Sequence, residues 1–162
     1  MEKQAADKSR GILWVCLALT LLWIGFIFLH SLQNGEDSSQ ESGAVWELLS
    51  KIFPSISHGL VRKLGHLTEF TILGCLLAAL FRSKSLPERG RKLPAVLRCF
   101  VLPAGCGLLV AMCDEIIQTG VPGRSGEWRD VLIDFSGVLL GVLLVSLISQ
   151  VLHHLAGADA GK

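Results

Sequence analysis

The chain has 162 residues and a mass of 17.5 kDa, and its formal net charge is +1. It is 51% hydrophobic and only 18% charged, with a mean hydropathy of +0.53. A soluble domain is usually about one quarter charged, so the composition argues against one and points to a single membrane-embedded domain. No basic face interleaved with aromatics is present, so nucleic acid has no support as a partner.

In chain order, residues 1–10 form a basic tail carrying Lys3, Lys8 and Arg10. The uncharged run GILWVCLALTLLWIGFIFL follows over 11–29. It exceeds the roughly 7–15 residues of a signal-peptide core, and no small-x-small site follows in FLHSLQNG. It is therefore read as a retained first spanning helix. A loop over 30–63 carries Glu36, Asp37, Glu41 and Glu47. Further spanning helices are expected over 64–81, 99–119 and 131–152. Each approaches the ~20 residues needed to cross the hydrocarbon. Pro103 predicts a kinked or partly re-entrant third helix. The fold class is thus all-α: a polytopic membrane protein with four transmembrane helices in a small bundle.

Orientation follows from Lys and Arg in the connections. The loop over 82–98 holds Arg82, Lys84, Arg89, Arg91, Lys92 and Arg98 against Glu88. This loop, the basic N-terminal tail and the tail over 153–162 are expected on the cytoplasmic side. The loops 30–63 and 120–130 are then external. Cys16, Cys75, Cys99, Cys106 and Cys113 all fall in apolar runs and are read as packing residues, without disulfide or Cys-x-x-Cys metal spacing.

The ionisable residues inside the apolar runs gather at one side of the membrane. His66 and Glu69 open the second helix; Asp114, Glu115 and Gln118 close the third; Arg129, Asp130 and Asp134 open the fourth. On a helical wheel Arg62, Lys63, His66 and Glu69 fall within an arc of about 120°, and Asp114, Glu115 and Gln118 within about 100°. Asp130, Asp134, Gly137 and Gly141 share a stripe whose small-xxx-small spacing lets two helices approach closely. A lone charge at mid-membrane costs about 2.5–3.5 kcal/mol on insertion scales, so these groups should face one another or water. The expectation is a polar pocket opening outward, lined by Lys63, His66, Glu69, Asp114, Glu115, Gln118, Arg124, Asp130 and Asp134.

Three chemistries compete for such a pocket, beside a purely structural ion-pair network. Acid–base catalysis would use Glu69, His66, Asp114 and Glu115, since paired carboxylates in a dry site can divide the roles of acid and base. Anion recognition would use Arg124 and Arg129, with the loop TGVPGRSGEW over Thr119–Trp128 presenting Arg124. A metal site from His66, Glu69, Asp114 and Glu115 is disfavoured by the single histidine and by nearby Lys and Arg, so neither metal nor cofactor is assigned.

RKLGHLTEF at Arg62–Phe70, DEIIQTGVPGR at Asp114–Arg124 and DVLIDFSGVLLG at Asp130–Gly141 together resemble the VanZ-like membrane proteins, as does FLHSLQNGEDSSQESG after the first helix. The resemblance runs from about Phe28 to Gly141 and rests on the order and spacing of the motifs. It implies a small integral protein of the bacterial cell membrane, in a family named for low-level resistance to teicoplanin, a lipid-bearing glycopeptide. It also implies that Lys63, His66, Glu69, Asp114, Glu115, Gln118, Arg124 and Asp130 are the family's polar motif residues. The chain departs from relatives at Ile117, where His is frequent, and at Asp134, where Asn is frequent; the missing histidine weakens a metal reading further. The function expected is binding or shielding of an envelope component, linked to teicoplanin-type resistance, with membrane lipids and a lipid-linked cell-wall precursor or lipoglycopeptide as partners. The alternative is a membrane-embedded acid–base enzyme acting on a lipid-linked substrate.

Overall fold

The computed structural model describes residues 2–83, 92–124 and 126–159. Lys84, Glu88, Arg89 and Arg91 of the basic loop lie outside the described residues, as do the side chains of Lys3, Lys8, Asp37 and Glu41. The described residues form five helices and no strand: α1 (Glu2–Ser31), α2 (Gly35–Ser50), α3 (His58–Arg82), α4 (Leu102–Thr119) and α5 (Trp128–Asp159). Four are long and apolar enough to cross a membrane. Their spans are Arg10–Ser31, His58–Arg82, Leu97–Thr119 and Trp128–Gly157. The all-α bundle read from the sequence is the fold.

The helix boundaries have local causes. Ser57 caps α3 by accepting a hydrogen bond from the Leu60 amide at 3.2 Å, so this helix begins earlier than the apolar run does. A π-helical turn over Leu97–Val101 precedes α4, with the Leu102 amide bonding the Leu97 carbonyl. Pro103, which has no amide to donate, follows at once, and the widened turn leads the span into α4 without a break.

The segment over 30–63, read from the sequence as a loop between spans, has a helix of its own. It contains α2, which the search for spanning runs passed over because its apolar residues (Val45, Trp46, Leu48 and Leu49) form only a short cluster. Side-chain contacts tie α2 to α3 and to the turn before it: Ser42 Oγ lies 3.1 Å from His58 Nε2, and the Trp46 indole donates to the Ile56 carbonyl at 2.8 Å.

The α3–α5 pair packs most extensively. At Gly137 an added Cβ would lie 2.6 Å from the Leu67 carbonyl oxygen, and at Gly141 it would overlap the Thr71 carbonyl. The two glycines therefore let α5 lie directly on the α3 backbone, as the small-xxx-small spacing predicts. Ile27, Phe70, Leu73, Leu77, Ala111, Val138 and Val142 fill the centre. Leu22, Leu109, Ile116, Leu143 and Leu147 face outward, as lipid-facing side chains do.

Candidate functional site

Asp114, Glu115 and Gln118 lie on the last turns of α4, and Asp134 lies near the start of α5. All four side chains are buried: Asp114, Gln118 and Asp134 are 0% exposed and Glu115 is 5% exposed. His66 comes from α3, with its Nδ1 at 3.3 Å from Asp134 Oδ1. Counting about 1.5 Å per residue from the helix ends, His66, Asp114, Glu115 and Asp134 lie about 6–12 Å along their helices. Ligating atoms of His66, Asp114, Glu115 and Asp134 lie within 4.8 Å of one another.

Surrounding donors fix the carboxylates in place. Ser31 Oγ, at the end of α1, donates to Asp114 Oδ1. The Gln118 amide nitrogen donates to Asp114 Oδ2 at 2.7 Å and reaches Glu115 Oε1 at 3.4 Å. The Glu127 backbone amide donates to Glu115 Oε2 at 2.9 Å. Asp134 is different: Oδ1 has only the ion-pair contact with His66 Nδ1, and Oδ2 has no donor among the described residues. Gln118 Oε1 is likewise buried without a donor.

Glu69 does not join this group directly. It pairs with His30 Nδ1 at 3.0 Å, and the Trp23 indole donates to the Glu69 carbonyl at 2.9 Å, so the motif also anchors α1. Sequence reasoning missed His30, and it placed Ser31 at the same outer end as the other polar residues without counting it in the pocket's lining. That shared end was the available signal.

Two cavities flank His66. A cavity of about 200 Å³ is lined by His30, Ser42, Val61, Arg62 and His66. A second, of about 120 Å³, is lined by Arg62, Lys63, His66, Asp130 and Asp134. Lys63 and Asp130 thus flank the carboxylate group rather than belonging to it.

Arg124 arrives by way of a tight turn. Pro122 and Gly123 occupy its centre, Gly123 has φ 77°, and the Arg124 amide bonds the Val121 carbonyl at 3.2 Å. A positive φ after proline is the signature of a type II turn, which favours glycine at that position. The Gly35 amide bonds the Pro122 carbonyl at 3.0 Å, fastening the turn to the start of α2. Nε, Nη1 and Nη2 of Arg124 are all buried, and none has a hydrogen-bond partner. Burial, followed by the charge of Arg62, pulls the Arg124 guanidinium below its ordinary range. Arg129 takes another course: it lies over the Trp128 ring at 5.8 Å on the exposed rim. Arg62 is a cation whose charge acts on Arg124.

The VanZ/LLP1 family model matches residues 16–149, a stretch that contains every residue of this site. The chain belongs to the VanZ/LLP1 family. Comparison with curated proteins and with solved structures found no significant match. This VanZ/LLP1 protein thus pairs a four-span apolar bundle with a buried polar group at one end.

Proposed function

We propose that the protein binds or shields an anionic cell-envelope component in an outward-facing pocket, with Arg124 and Arg62 holding its phosphate or carboxylate. The observation that carries this reading is the Arg124 guanidinium, buried with all three nitrogens unpartnered. A buried charge without hydrogen bonds is costly, and a planar guanidinium matches a phosphate or carboxylate in two-pronged fashion. The neighbouring cavities are lined by Arg62, Lys63 and His66 and leave room for part of a headgroup. The outward orientation, with both termini on the cytoplasmic side of a bacterial cell membrane, is supported by Lys and Arg in the N-terminal tail and the 82–98 loop. Membrane lipids and lipid-linked cell-wall precursors are the partners of this chemistry; a lipoglycopeptide such as teicoplanin carries a carboxylate that the same arginines would meet.

Detergent-purified protein given a lipid-linked cell-wall precursor should retain it unchanged, and Arg124→Gln should weaken binding at least ~10-fold. Equal binding by both proteins would sink the assignment of Arg124. A change in teicoplanin susceptibility on expression should depend on Arg124; the same change with Arg124→Gln would detach the pocket from the drug. For orientation, Ser38→Cys should react with an impermeant thiol reagent in intact cells and Ser85→Cys should not; the reverse would invert the pocket's placement.

A second reading is favoured by the close grouping of His66, Asp114, Glu115 and Asp134. In it the pocket is a catalytic site whose carboxylates and imidazole exchange protons with a lipid-linked substrate. Product formation that disappears in Asp114→Asn or Glu69→Gln would establish it over simple binding.

A further inference from the structure

The same end of the bundle has a surplus of buried acceptors. Asp114, Glu115 and Asp134 bring three carboxylates to within 4.8 Å, and no Lys or Arg among the described residues makes an ion pair with any of them. The donors that reach them, from Ser31, Gln118 and the Glu127 amide, are spent on Asp114 and Glu115. Asp134 Oδ2 and Gln118 Oε1 have no donor among the described residues, on side chains 0% exposed, and Asp134 Oδ1 has only the His66 imidazole at 3.3 Å. Groups that can only accept are satisfied together by a cation.

We infer that His66, Asp114, Glu115 and Asp134 form a binding site for one divalent metal ion of the manganese or magnesium class. Two ligands on opposite sides of an ion stand about 4 Å apart at bond lengths near 2.1 Å, so a spread of 4.8 Å closes with small side-chain rotations. Three carboxylates with one imidazole make a mainly oxygen donor set, which suits Mn²⁺ and Mg²⁺ better than a thiolate- or histidine-rich site would. Ser31, Gln118 and the Glu127 amide already orient two of the carboxylates, as outer partners of a metal site do. Sequence reasoning assigned no metal here because it counted a single histidine and nearby Lys and Arg, and its candidate set held Glu69 rather than Asp134. In the fold, Glu69 turns to His30 and Asp134 takes its place.

This inference does not require the anion reading, and the two can fail separately. Full-length protein purified in detergent and stripped with chelator should rebind about one Mn²⁺ per chain, followed by electron paramagnetic resonance of the free ion, with Mg²⁺ competing. Saturating Mn²⁺ should raise Tm by about 5 °C or more. Asp134→Asn should weaken Mn²⁺ binding at least ~100-fold and remove the thermal shift, whereas Arg124→Gln should leave both intact. Wild-type protein that rebinds no Mn²⁺ and shows no thermal shift overturns the site, whatever its binding to lipid precursors. Undiminished Mn²⁺ binding in Asp134→Asn overturns the assignment of these ligands.

Discussion

Two half-buried arginines stand at opposite ends of this bundle and behave differently. At one end, Arg82 donates to the Cys99 carbonyl at 3.1 Å and to Ser146 Oγ at 2.6 Å, and it lies over the Phe100 ring at 5.7 Å. It joins α3, α5 and the π turn before α4, and its charge is accounted for within the chain. At the other end, Arg124 is held by a turn and by α2, yet its guanidinium meets no acceptor. The residue type is the same in both places. What differs is whether the fold supplies a partner, and that separates a structural cation from one kept for a ligand.

The contrast can be tested from its strongest consequence downward. Arg82→Met should lower stability by roughly 2 kcal/mol, from two lost charge-assisted hydrogen bonds, and leave precursor binding unchanged. Denaturant unfolding in mixed micelles measures the first and a binding titration the second. Arg124→Gln should do the opposite: binding falls by about 1.4 kcal/mol or more, while stability stays level or rises by up to ~1 kcal/mol. If Arg124→Gln unfolded as readily as Arg82→Met, the two arginines would play the same role and the contrast would collapse. Gly123→Ala, strained at φ 77°, should cost about 1 kcal/mol and weaken binding through Arg124 without changing the far end. Ser31→Ala removes one donor to Asp114 and should cost about 0.6 kcal/mol; a loss several times larger would mean that α1 is held mainly through this contact.

Legibility from sequence followed the range of the interaction. The four spans were readable because hydrocarbon thickness sets a length and a composition that a linear search detects. The turn before Arg124 was readable because Pro122 and Gly123 encode it locally. The stripe of Asp134, Gly137 and Gly141 was readable from periodicity, but that Gly137 and Gly141 pack on α3 was not. Helix α2 was passed over because it lies among polar residues and is too short and too polar to register as a span.

Pairings across helices were the least legible. His30 with Glu69, His66 with Asp134 and Ser31 with Asp114 each join residues far apart in the chain, and several other partners were equally consistent with depth alone. By itself, then, the sequence determined that this is a four-span helical membrane protein with its ionisable residues gathered at one end, because the bilayer penalises unpaired polarity wherever it occurs. Only the tertiary structure decided that Glu69 turns to α1, that Asp134 completes the carboxylate group and that Arg124 is left without an acceptor. Those outcomes depend on the rotation and close approach of α3, α4 and α5, which glycine contacts and side-chain packing set in three dimensions.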